Sequence, residues 1–249
     1  MDLEQILEDV AAGTRSVSEA QRAIEGFTRV DDFARLDTER PDRAGVPEVV
    51  LGEGKSLDHL ESIVREFLEE QESVIVSKVD EAAKDRLQTV APESKWYEQS
   101  QMLVLHTEAY EQRNSDGTVA VLTGGTADVP VAEEAVVIAE EMGCTVQTHY
   151  DVGVAGIHRL LSDVDRFSQA DSLVVAAGRE GALPTVVAGL VDVPVIGLPV
   201  SIGYGHGGKG EAALSGMLQS CTVLSTVNID AGFVAGAQAA KIACRAHSD

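Results

Sequence analysis

The chain has 249 residues, 44% of them apolar, enough to bury a real core and too apolar for an intrinsically disordered chain. Its 41 acidic residues against 19 basic ones give a formal net charge of −22, which would repel free nucleic acid and anionic membranes. No apolar run approaches the roughly 18 residues a membrane helix needs, and the opening MDLEQILEDV reads as a soluble helix, so a cytoplasmic protein is expected.

The first 30 residues read as two helices, the second opened by a capping box at Ser16 and Glu19. Residues 34–56 read as irregular: Pro41, Gly45, Pro47, Gly52 and Gly54 argue against a helix, while PEVVL can pair as a short strand. A helix at about 57–70, the strand SVIVS (73–77), a helix at about 80–88 and a strand at QMLVLH (101–106) complete a small N-terminal α/β domain, residues 1–110. TEAYEQRNSDGT (107–118) lacks an apolar pattern and reads as a linker.

From residue 118 to 249 the pattern changes. Strand-length apolar runs (118–124, 144–150, 171–178, 193–199) alternate with helices near 129–142, 155–163, 181–190, 209–219 and 231–246. Continuous Val, Ile and Leu strands separated by helices predict an α/β fold: a doubly wound parallel sheet covered on both faces. Ligands of such sheets bind beyond the C-terminal strand ends, which nominates the loops 124–128, 151–155, 178–184, 199–209 and the neighbourhood of Cys221.

The first loop, LTGGTADVP, brings glycine amides and a helix start to one place, with Thr123, Gly124, Gly125, Thr126 and Asp128 as anion partners; a tight turn with Asp128 as N-cap fits the same residues. It is neither a Walker sequence nor a GxGxxG fingerprint. The third, AAGREGALP, sets Gly178, Arg179, Glu180, Gly181 and Ala182 at a strand end, where two opposite charges suit a site or a surface ion pair. The fourth, GLPVSIGYGHGGKGEAAL, which includes Pro199, holds six glycines from Gly197 to Gly210 together with Tyr204, His206 and Lys209, a density that suits backbone packed on a ligand or a mobile flap. His206 is a candidate general base, with a solvated loop histidine as the alternative.

The three cysteines, Cys144, Cys221 and Cys244, form no CxxC pattern and suit neither a disulfide framework nor a zinc site. Scattered carboxylates with only six lysines fit adaptation to a salty cytoplasm better than a cationic partner.

Residues 118–243, with TGGTAD after the first strand and GALP after the third, resemble the aminoimidazole ribonucleotide carboxylases and mutases, but Tyr150–Gly156 stands where that family has Ser-Ala-His-Arg. A second resemblance spans nearly the whole chain. Arg40-Pro41-Asp42-Arg43-Ala44-Gly45-Val46-Pro47-Glu48-Val49-Val50-Leu51-Gly52-Glu53-Gly54-Lys55, followed by TGGTAD (123–128), DVGVAGIHR (151–159), GREGALPTVVAGL (178–190), PVSIGYG (199–205) and the Cys221 region, is similar to the LarB family.

That resemblance implies carboxylation of the pyridinium ring of nicotinic acid adenine dinucleotide by CO2 or bicarbonate, with release of AMP, in nickel-pincer cofactor assembly. It implies Cys221 as nucleophile, since a thiolate adding to the electron-poor ring makes C5 nucleophilic and then departs. It places Glu180, Arg179 and Asp128 near the ring, offers Arg40, Arg43, Lys55 and Lys209 as phosphate partners, and implies a homo-oligomer, octameric in the related carboxylases. No tightly bound cofactor is implied; a need for Mg²⁺ stays open. A purine-pathway carboxylase or mutase and a non-catalytic nucleotide-binding regulator are the alternatives.

Overall fold

A computed structural model describes residues 3–30, 33–91, 93–203 and 205–247. The chain divides into two units: one runs to Trp96 and adds Leu103–Tyr110, the other takes Tyr97–Met102 and everything from Glu111 onward.

In the first unit α1 (Leu3–Ala11) and α2 (Val17–Glu25) are joined at the capping box, where Glu19 N donates to Ser16 Oγ (3.2 Å) and Ser16 N to Glu19 Oε2 (2.6 Å). A hairpin of β1 (Thr28–Val30) and β2 (Ala34–Leu36) follows, then α3 (Arg40–Ala44). This short helix corrects the irregular reading of the segment. Pro41 falls in its first turn, where the missing N–H has no helical partner to lose, and Gly45 ends it at φ 64°. Next come β3 (Val49–Leu51), α4 (Leu57–Glu70), β4 (Ser73–Ser77), α5 (Glu81–Leu87), β5 (Glu93–Tyr97) and β6 (Met102–His106). The sheet order is β3-β4-β6-β5, with β3 parallel and β6 antiparallel to β4. Leu60, Ile63, Val64 and Phe67, one face of α4, bury against Val74, Val76, Leu103 and Leu105.

The second unit is the predicted doubly wound sheet. Its elements are β7 (Thr118–Thr123), α6 (Val129–Glu141), β8 (Thr145–His149), α7 (Ile157–Phe167), β9 (Ser172–Ala177), α8 (Ala182–Ala188), β10 (Val195–Pro199), α9 (Glu211–Leu218), β11 (Ser225–Thr226) and α10 (Gly232–Ala246). The order β11-β10-β9-β7-β8 is parallel throughout. Ala120 and Leu122 bury on the side of α7, α8 and α9, with Leu160, Phe167, Leu183 and Met217. On the other face Gly236 lets α10 close on α6; a Cβ there would sit 2.5 Å from the Ala135 carbonyl. Tyr97 Oη donates to Glu140 (2.8 Å) and Ser100 N to Glu133 (2.8 Å), which ties the 97–102 excursion to α6 within this unit. No helix among the described residues is long and apolar enough to cross a membrane.

Candidate active site

The parallel order brings the loops after β7, β8, β9 and β10 to one edge of the sheet, and they are sewn together by backbone groups. Gly124 N donates to Ala176 O (2.9 Å), Val152 N to Thr123 O (2.9 Å), Val200 N to Ala177 O (3.1 Å) and Asp230 N to Pro199 O (2.9 Å). Asp151 N donates to Thr123 Oγ1 (3.0 Å) and Ser201 N to Asp230 Oδ1 (2.8 Å), so each loop is pinned to its neighbour.

Between them lies a cleft of about 620 Å³, the size of a small-ligand site. Asp128 lines it. It is 7% exposed, and its carboxylate spans two loops: Oδ2 accepts from Gly125 N (2.8 Å) and Oδ1 from Gly178 N (3.1 Å). Burial raises its carboxyl above the ordinary 3.8, opposed by those two donors, which favour the ionised form. The walls are backbone as much as side chain. A Cβ on Gly153 would sit 2.3 Å from Gly124 O, and one on Gly178 2.4 Å from Ile202 O, so these positions exclude any side chain.

The cleft gathers Gly124, Gly125, Asp128, Gly178, Arg179, Glu180 and Ala182, as the sequence suggests. Arg179 is held at φ 51°, the left-handed region that non-glycine residues seldom occupy, a strain that clusters at functional sites. Other nominated residues support the cleft without lining it. Thr123 is fully buried and anchors Asp151; Gly181 caps α8 at φ 64° against Ala213; Pro199 accepts from Asp230; Thr126 is exposed in the short 3-10 turn Thr126–Asp128. Tyr204 lies outside the described residues. Arg40, Arg43 and Lys55 belong to the first unit. There Arg40 pairs with Glu48 (2.5 Å), Arg43 grips Asp37 with both terminal nitrogens (2.5 and 3.1 Å), and Lys55 Nζ donates to Leu51 O (2.7 Å).

The sequence reading missed Arg159. It sits in the first turn of α7, pairs with Asp151, and still lines the cleft, because the first turn of a helix after a strand faces the ligand edge. Its place two residues into that helix was the available signal.

Cys221 corrects an expectation of position. The sequence placed it near the end of the last strand; β11 instead begins four residues later, so Cys221 enters the strand rather than leaving it. It is exposed at the N-terminal edge of the sheet, next to Thr222, which approaches Gly189 at the end of α8. The five residues of β10 alone put roughly 16 Å between that edge and the cleft. Leu218 and Val223 beside it are 67% and 95% exposed. Cys144 and Cys244 face each other at 3.5 Å, and burial pushes the Cys144 thiol up to about 12.

No group of three or more His, Cys, Asp or Glu side chains among the described residues is placed to hold a metal ion. What the arrangement supplies is a buried carboxyl with a raised pKa, which already takes the Gly125 and Gly178 amides, a cleft walled by glycine backbone, and two guanidinium groups, Arg159 and Arg179.

Residues 27–108 match the LarB/PurE-like N-terminal domain, and residues 118–249 match AIR carboxylase. An uncharacterised protein of Methanocaldococcus jannaschii is 39% identical over 235 residues, covering 90% of each chain. N5-carboxyaminoimidazole ribonucleotide mutase of the same organism is 36% identical over 85 residues, 33% of this chain and 52% of that enzyme. A crystal structure of a Treponema denticola PurE2 variant superimposes with TM-score 0.43 at 22% identity, over 51% of this chain and 79% of that one.

Proposed function

Because the chain belongs to the LarB family, with a carboxylase-type second domain, we propose that it carboxylates C5 of the pyridinium ring of nicotinic acid adenine dinucleotide and hydrolyses the phosphoanhydride. The products are pyridinium-3,5-biscarboxylic acid mononucleotide and AMP, in the assembly of a nickel-pincer cofactor. The observation that carries the reading is the pairing of that two-domain architecture with a cleft lined by a buried carboxyl of raised pKa.

The chemistry follows from the ring. A thiolate adds to a ring carbon next to C5, the ring nitrogen takes up the electron pair, and C5 becomes an enamine carbon. C5 then attacks CO2. A base removes the C5 proton, and the returning electron pair expels the thiolate and restores the aromatic cation. Asp128 suits the base, because burial raises its carboxyl above the ordinary value and makes the carboxylate a stronger proton acceptor. Glu180 at the rim is the second candidate, and Arg159 and Arg179 balance the anionic substrate.

The thiolate is assigned to Cys221, which does not reach the cleft of its own chain. The reading therefore requires a homo-oligomer in which Cys221 of a neighbouring copy closes the cleft. The exposed Leu218 and Val223 around it suit a face that is covered in an assembly.

The discriminating experiment offers purified protein, in high salt, either nicotinic acid adenine dinucleotide or aminoimidazole ribonucleotide, each with ¹³C-bicarbonate. Label in a dicarboxylated pyridinium product supports the proposal. Label in the aminoimidazole product alone makes the chain a purine-pathway carboxylase.

A further inference from the structure

A second, smaller cavity of about 230 Å³ adjoins the cleft and shares Arg179, Glu180 and Gly203 with it. Its remaining wall is the glycine-rich segment from Gly205 to Gly210, with His206, and Ala212 from the first turn of α9. The volume is below the roughly 300–1,000 Å³ of sites that enclose a whole small ligand, and suits a diphosphate with water.

The wall is built rather than incidental. Gly207 (φ 70°) and Gly210 (φ 80°) both need left-handed backbone, and a Cβ on either would meet Ala212 at 2.7 Å or Ile229 at 2.6 Å. Glu180 is fixed from behind, its carbonyl lying 2.3 Å from where a Cβ on Gly216 would stand. Arg179, at φ 51°, stands on the boundary of the two cavities. Such a junction is what a dinucleotide needs: one half in the large cleft, the bridging diphosphate at the guanidinium, and water entering from the open loop side.

We infer that the small cavity is the hydrolytic half of the site, where Arg179 holds the diphosphate of a bound dinucleotide and His206 takes the proton of the attacking water. The inference rests on the dinucleotide reading above. The water oxygen forms a bond to one phosphorus, the P–O bond of the anhydride breaks, and the departing phosphate oxygen carries the electron pair away. His206 keeps the proton until solvent removes it. Two phosphomonoesters result whichever phosphorus is attacked. Glu180 lines the same space and repels the diphosphate, so the guanidinium is required rather than incidental.

The test follows both half-reactions by mass spectrometry, with nicotinic acid adenine dinucleotide and ¹³C-bicarbonate, in wild type and His206→Gln. The variant is expected to lose AMP release about 100-fold or more, while intact ¹³C-carboxylated dinucleotide accumulates and far-UV circular dichroism is unchanged. AMP release at the wild-type rate, or carboxylation lost along with it, overturns the inference and leaves the dinucleotide reading standing. Wild type that neither labels nor cleaves the dinucleotide removes that reading, and this inference with it.

Discussion

Asp128 and Cys221 lie at opposite edges of one five-stranded sheet: the carboxyl beyond the C-terminal end of β7, the thiol ahead of the N-terminal end of β11. Loops that follow parallel strands and loops that precede them cannot share an edge. A reaction that uses both groups must draw them from two copies.

That arrangement predicts complementation. Cys221→Ala and Asp128→Asn should each be inactive alone. Co-assembled at equal amounts, they should recover about a quarter of wild-type activity, since random mixing gives that share of clefts an intact carboxyl and an intact thiol from the neighbour. Activity assays on the co-expressed, doubly tagged oligomer check this, and no recovery would place both groups in one chain's site.

Asp128 also carries a stability prediction. Asparagine can accept one of the two amide donors but meets the other with its own N–H, so Asp128→Asn should cost about 1–3 kcal/mol. The pH dependence has a definite sign. The folded pKa is raised above 3.8, so this group's stabilising contribution is complete below that value and is lost as pH rises through the folded one. The stability gap between wild type and variant, from urea melts at several pH values, should narrow as pH rises through the acidic range.

Gly153 tests how tightly the loops are packed. An alanine Cβ would press to 2.3 Å from the Gly124 carbonyl, and that atom is backbone that cannot swing aside. Gly153→Ala should lower stability by about 1–3 kcal/mol and weaken dinucleotide binding further. Thermal melts beside calorimetric titration separate the two effects.

The cysteines should react in order of access. Cys221 is exposed, whereas Cys144 is buried beside Cys244 with its thiol pushed up to about 12. Iodoacetamide at neutral pH should modify Cys221 first in dissociated protein and Cys144 last, as peptide mapping would show. Equal rates would contradict the burial.

The second unit was legible because its strands are buried on both faces and stand out as Val- and Leu-rich runs; β7, β9 and β10 lie inside the predicted ranges. The hairpin of β1 and β2 was not, since three-residue strands such as Thr28–Val30 carry no period to read. Strand β5 was missed because Glu93–Tyr97 alternates exposed charge with half-buried side chains at a sheet edge. At the site, the glycine loops, Asp128 and Arg179 could be read from their place after strands. Cys221 was misplaced by the two-residue length of β11, whereas Arg159, read correctly as helical, was not nominated because the first turn of α7 was not counted among the strand-end loops.

The most direct test of the central claim follows ¹³C from bicarbonate into nicotinic acid adenine dinucleotide with wild-type protein beside Cys221→Ala. The account predicts a labelled dicarboxylated pyridinium mononucleotide and AMP with wild type, and no carboxylated product with the variant. Equal labelling by both proteins would contradict the covalent cysteine, and no labelling by either would contradict the reaction itself.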